Sequence, residues 1–191
     1  QKFRENHHSC DDCAATGLPL SGHAAWFCEA CPSGWQRSET EDGVPCLACP
    51  PGRKGESDGC EICDVGQFQM DNGTSFCLPC NAGLYQSEKG QTTCKECLAG
   101  QFQPSSGTER CLNCTLGKYQ ATKGLPYCLP CIPGTYENQT GSTECKGCGE
   151  GQHQVLAGND TCSDCPMGFS QSDSGQASCI TCSPGEFNDG A

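Results

Sequence analysis

Aliphatic side chains are scarce in this sequence: Leu, Ile, Val and Phe together make 24 of 191 residues. With a formal net charge of -12, so little apolar matter would ordinarily leave a chain disordered, because too little surface is buried to offset conformational entropy. No apolar run is long enough to span a bilayer, which excludes a transmembrane segment within these residues. No signal-peptide h-region is present either, so Gln1 is expected to be a processed or cut end, with any anchor lying outside this chain. Basic residues are few, 11 Lys and Arg against 23 Asp and Glu, and this acidic balance argues against nucleic acid as a partner. Helical periodicity is nowhere sustained beyond a turn. G-x-S-x-G, H-E-x-x-H and phosphate-cradling glycine loops are all missing, so nothing points to an enzyme or to a cofactor.

What the chain does have is 22 cysteines, 25 glycines and 12 prolines. That cysteine content is the mark of a disulfide scaffold, in which covalent staples replace a core. The cysteines fall in eleven Cys-x-x-Cys pairs, and from Cys60 to Cys179 the first member of each pair recurs every 17 residues. A strict short period signals a linear array of units. The unit reads C-x2-C-x2-G-x-[FY]-Q-x3-G-x3. Earlier pairs at 10/13, 28/31 and 46/49 follow at intervals of 18, 18 and 14 residues. Residues 1–59 are therefore read as irregular cysteine-rich units, 60–181 as seven regular repeats, and 182–191 as the start of a further, truncated repeat.

Local chemistry assigns roles within the unit. Pro133-Gly134 and Pro184-Gly185 are type II turn signatures, with glycine taking positive φ, so the chain should turn just after each second cysteine. Phe68, Tyr85, Phe102, Tyr119, Tyr136 and Phe187 then present a ring expected to cover the disulfide. A second glycine, at 73, 90, 107, 124, 141, 158 and 175, marks the reversal of the chain. Gln69, Gln86, Gln103, Gln120, Gln154 and Gln171 recur nearby, with Glu137 breaking the run. The favoured reading is that each Gln bonds its own loop backbone; a side-chain ladder between stacked units is the alternative.

Spacing favours one disulfide ladder, in which the second cysteine of each pair bonds the first of the next. The pairs are Cys13 to Cys28, Cys31 to Cys46, Cys49 to Cys60, Cys63 to Cys77, Cys80 to Cys94, Cys97 to Cys111, Cys114 to Cys128, Cys131 to Cys145, Cys148 to Cys162, and Cys165 to Cys179. Each regular loop would gain roughly 3 kcal/mol in the chain-entropy model. The dipeptide inside each Cys-x-x-Cys would be the only hinge between loops, so successive units must touch and form a rod. Bonds within each Cys-x-x-Cys, or a crossed pairing of units in twos, remain open alternatives. The ladder leaves Cys10 and Cys182 without partners in this chain, and truncation is the expected reason.

So many cysteines would be reduced in cytosol, whereas four N-x-[ST] sequons, at Asn72, Asn113, Asn138 and Asn159, fit a secretory route. The expected location is extracellular, secreted or at the cell surface, with N-linked glycans at those asparagines. Zinc ribbons of the Cys-x2-Cys type need wider spacing than these pairs offer, thioredoxin-like redox motifs need a helix, and the scattered carboxylates lack an EF-hand pattern. No metal site is expected.

The unit C-x2-C-x2-G-x-[FY]-Q-x3-G-x3-C resembles the ephrin-receptor-like cysteine-rich repeat of large extracellular and membrane-tethered proteins. The loop C-x2-G-x-[FY]…C is also similar to the single-disulfide module of tumour necrosis factor receptors. The resemblance covers residues 60–187 well and 10–59 loosely, implies extracellular placement and supports the loop bond. Departures occur: the Cys46 to Cys60 unit is three residues short with Lys54 near the ring slot, His153 and Ser170 replace the ring, and Phe169 sits one place early.

The fold expected is therefore small and disulfide-rich, an elongated tandem array of cysteine-stapled loops and short β-hairpins with little helix and no large hydrophobic core. The expected function is non-enzymatic: a stiff glycoprotein rod serving as a stalk or as a subunit of a surface fibre. Its partners would be itself, end to end or laterally, or other extracellular proteins. A ligand-binding receptor or adhesion ectodomain is the alternative, motivated by Trp26, Phe27 and Trp35 as a contact patch.

Overall fold

A computed structural model describes residues 31–38, 46–56 and 59–186. Among them there is no helix, and so none long and apolar enough to cross a membrane. Nine two-stranded antiparallel hairpins follow one another through the described residues. The first two pair Trp35–Arg37 with Cys46–Ala48 and Arg53–Glu56 with Gly59–Ile62. The next seven have two-residue strands, beginning with Gln67–Phe68 on Leu78–Pro79 and ending with Phe169–Ser170 on Ile180–Thr181. The expected disulfide-rich string of short hairpins is thus the fold.

Each hairpin is built the same way. The backbone turns at the first glycine, where Thr135 N–H donates to Ile132 O at 3.0 Å and Gly134 takes φ 83°. The same turn forms without proline, as at Asn81 to Leu84, so the glycine rather than the proline is what the turn requires. In the seven regular hairpins the ring slot then lies on the first strand, and the second strand is the dipeptide between the two cysteines. That dipeptide is not a free hinge: Phe102 pairs with Leu112 and Tyr119 with Leu129, and Cys114 N–H donates to Gly100 O at 2.9 Å.

Nine disulfides staple these loops: Cys31–Cys46, Cys49–Cys60, Cys63–Cys77, Cys80–Cys94, Cys97–Cys111, Cys114–Cys128, Cys131–Cys145, Cys148–Cys162 and Cys165–Cys179. Cys182 carries a free thiol. Every buried hydrophobic residue among those described is a cysteine, so the interior is a series of cystines with no aliphatic core.

The chain divides into two compact units, Gln1–Cys80 with Gln86–Cys94, and Asn81–Tyr85 with Lys95–Ala191. In both, successive loops share the same backbone bonds. In the first, Gly66 N–H donates to Gln86 O at 2.7 Å, Gly90 N–H to Cys63 O at 2.8 Å and Gln69 N–H to Gln91 O at 3.1 Å. In the second, Gly117 N–H donates to Glu137 O at 2.8 Å, Gly141 N–H to Cys114 O at 2.8 Å and Gln120 N–H to Ser142 O at 3.1 Å. Loops also meet at one remove: a Cβ placed on Gly117 would land on the carbonyl oxygen of Gly158, two loops on, and one on Gly100 would land on that of Gly141. At Gly83, Gly100, Gly117 and Gly134 the first glycine is therefore needed twice, for its positive φ and for this close approach, whereas at Gly151 and Gly168 only the φ requires it.

The short unit closed by Cys49 and Cys60 keeps the register. Gly34 N–H donates to Gly55 O at 3.2 Å and Gly55 N–H to Thr74 O at 2.8 Å, the counterparts of the bonds made elsewhere at the Gln position. With three residues fewer in the loop, its strands zip together and Gly55 packs directly on the Gly34 backbone, where a side chain would clash.

Candidate functional site

The recurring glutamines are buried, and Gln69, Gln86 and Gln120, each at 1% exposure, are the most buried polar residues among those described. Each fills its own loop. Gln120 Nε2 donates to Tyr127 O at 2.8 Å while its Oε1 accepts from Thr122 N–H at 3.0 Å, and Gln86 does the same with Thr93 and Glu88. An amide suits the slot because it donates from one end and accepts at the other, satisfying two backbone groups that the short loop leaves unpaired. The favoured reading of the glutamines therefore holds, and the contact between loops is made by backbone.

Glu137 occupies this slot in one loop, at 2% exposure. Its Oε1 still accepts from Gln139 N–H at 2.9 Å, and the ammonium of Lys146, opposite Tyr136 on the paired strand, reaches it at 3.3 Å. Burial pushes the carboxyl upward, but the Gln139 N–H, the Lys146 ammonium and the Ser142 hydroxyl outweigh it, and the group is held below the ordinary glutamate range.

The rings at 68, 85, 102, 119 and 136 are half-buried. At the sixth site the ring is replaced by His153, also half-buried. Its Nδ1 lies 3.1 Å from Ser163 O and 3.2 Å from Cys179 Sγ, a sulfur of the disulfide in the following loop. His153, Cys165 and Cys179 form a tight cluster, although both sulfurs are committed to their mutual bond.

Of the residues singled out in the sequence, Trp26, Phe27 and the pair Cys13 and Cys28 lie outside the described residues, as does Phe187. Trp35 is half-buried, and a Cβ placed on Gly73 of a later loop would lie 3.7 Å from its indole Nε1, so the indole borders that loop. Asn72, Asn113 and Asn138 are exposed and Asn159 is half-exposed. Asn113 Oδ1 accepts from Gln101 at 3.0 Å and Asn138 Oδ1 from Lys146 at 3.2 Å. The sequence flagged His153 only as a departure from the ring pattern; its contact with a cystine depends on how the loops stack, which spacing does not reveal.

The chain matches the model of the ephrin-receptor-like family, described as tyrosine-protein kinase ephrin type A/B receptor-like, over residues 66–109, 83–125, 100–148 and 154–191. These stretches overlap and together cover more than half of the sequence. The chain belongs to this family. Three ephrin-receptor-like matches begin at Gly66, Gly83 and Gly100, so the family's unit starts in phase with the turn described above. No curated protein matches the chain. Ephrin-receptor-like cysteine-rich repeats are non-catalytic modules, and with the disulfides they indicate an oxidising, extracellular-type environment.

Proposed function

We propose that this chain is a structural segment of an extracellular glycoprotein, a stiff rod serving as a stalk or as a subunit of a surface fibre, secreted or held at the cell surface. The observation that carries this reading is the loop-to-loop bonding. Each loop offers the same donors and acceptors to the next, as at Gly117 to Glu137 and Gly141 to Cys114, so copies extend the stack without adding a core. N-linked glycans at Asn72, Asn113, Asn138 and Asn159 would protect the exposed loops from proteases. Self-association would run end to end or laterally.

Electron microscopy of material from the native source tests this. Filaments in which this chain repeats regularly would support a fibre subunit, single rods would support a stalk, and compact particles would overturn the reading. A receptor or adhesion role is the second reading, favoured by apolar side chains left exposed in successive loops, among them Leu98, Leu116, Ile132 and Met167. It predicts a soluble monomer whose capture by an extracellular protein is lost when Leu116 and Ile132 become Ser, with all loops still oxidised.

A further inference from the structure

We propose that the Cys165–Cys179 disulfide is a redox-cleavable staple, opened by thiol–disulfide exchange with a dithiol, and that His153 is the proton donor to the Cys179 sulfur as it leaves. Three observations converge on this bond. Ser163 O, 3.1 Å from His153 Nδ1, can only accept, so the proton must sit on Nδ1. That same nitrogen is 3.2 Å from Cys179 Sγ, so its one proton is shared between the carbonyl and the sulfur and can pass to the sulfur as negative charge builds there. Finally, the ring slot that places His153 beside this cystine holds Phe or Tyr at 68, 85, 102, 119 and 136, so no other described ring slot carries an imidazole. The loop it closes is also the one with Ser170 in the ring slot and Phe169 displaced by one residue.

The chemistry balances as follows. A thiolate of the dithiol attacks Cys165 Sγ and forms a mixed disulfide, while the electron pair of the broken S–S bond goes to Cys179 Sγ. His153, as the imidazolium, gives that sulfur its Nδ1 proton and becomes neutral imidazole, so the leaving group departs as a thiol, and solvent later returns the proton. The second thiol of the dithiol then attacks the mixed disulfide, releasing Cys165 and leaving as a cyclic disulfide that carries away two electrons' worth of oxidation. In the other loops Phe has no proton to give, and the phenol O–H of Tyr is borne at the para position of its ring, away from the ring position that Nδ1 takes in His153.

The test uses the full oxidised chain and limiting dithiothreitol at neutral pH, followed by alkylation and mass mapping of each cystine against time. Cys165–Cys179 should open about tenfold faster than Cys148–Cys162, less than the usual general-acid effect because a thiolate is already a fair leaving group. His153→Tyr, which restores the ring of the neighbouring units, should slow it to the rate of the other loops. Tyr136→His places an imidazole at the same 26-residue offset before Cys162, and should speed opening of Cys148–Cys162 relative to the parent chain. Opening of Cys165–Cys179 in step with the other bonds would overturn the proposal. So would fast opening that persists in His153→Tyr, or a Tyr136→His chain with all loops formed and no acceleration.

Discussion

At the scale of single residues, the loop interior accepts a carboxylate in place of an amide only with a counterion at hand. Glu137 has the Lys146 ammonium at 3.3 Å, whereas Gln120 faces a strand carrying Leu129 in the equivalent position. Gln120→Glu should therefore set a carboxylate against the Tyr127 carbonyl and cost about 2 kcal/mol at neutral pH, the price of an unmet buried acceptor pair. Adding Leu129→Lys should recover much of that loss, and a double-mutant cycle from urea unfolding of the oxidised chain measures the coupling. The pH dependence of Glu137 has a definite sign. Its folded-state pKa is depressed, so its contribution is present at neutral pH and is lost as the pH falls through the folded value. Glu137→Gln should show a smaller fall in thermal stability between pH 7 and pH 3 than the parent, and an equal fall would show that Glu137 is not the group responsible.

At the scale of the repeat, glycine and disulfide divide the labour between geometry and closure. Gly117 combines φ 74° with a position where any Cβ meets the Gly158 carbonyl, whereas Gly175 has φ 76° but no atom within 4 Å of such a Cβ among the described residues. Gly175→Ala should therefore cost about 1 kcal/mol, the positive-φ penalty alone. Gly117→Ala should cost distinctly more and raise amide hydrogen exchange at Gly158, since it parts two loops as well as straining one. Much of this unit was legible beforehand. The period, the turn glycines and the absence of helix all follow from local spacing and backbone sterics, which sequence carries directly. The pairing of each Cys-x-x-Cys dipeptide as a strand was missed, because a two-residue strand shows no alternation to read. The Gly117–Gly158 approach was missed for another reason: it joins loops two copies apart, and nothing local encodes that distance. The Glu137–Lys146 pair left a faint trace in sequence, a double departure from the pattern, but Lys95 occupies the same slot beside Gln86 and blurs it.

For the molecule as a whole, stability is a sum of covalent loops and contacts between near neighbours, because among the described residues the only buried hydrophobic side chains are those of the cysteines themselves. Cutting one staple should then act locally. Replacing Cys114 and Cys128 by Ser should remove about 3 kcal/mol from that loop and increase exchange in it and in the loops it touches, leaving more distant loops as protected as before. Full reduction is a different matter, since it removes every covalent staple at once. What remains is a chain poor in aliphatics with a net charge of -12, a composition that does not collapse. Small-angle scattering of the fully reduced, alkylated chain should give a radius of gyration of roughly 47 Å, the value of an unfolded chain of this length, with no residual protease resistance. A reduced chain that stayed ordered would require a core that the described residues do not contain, and the view of this protein as an array held by its cystines would have to be abandoned.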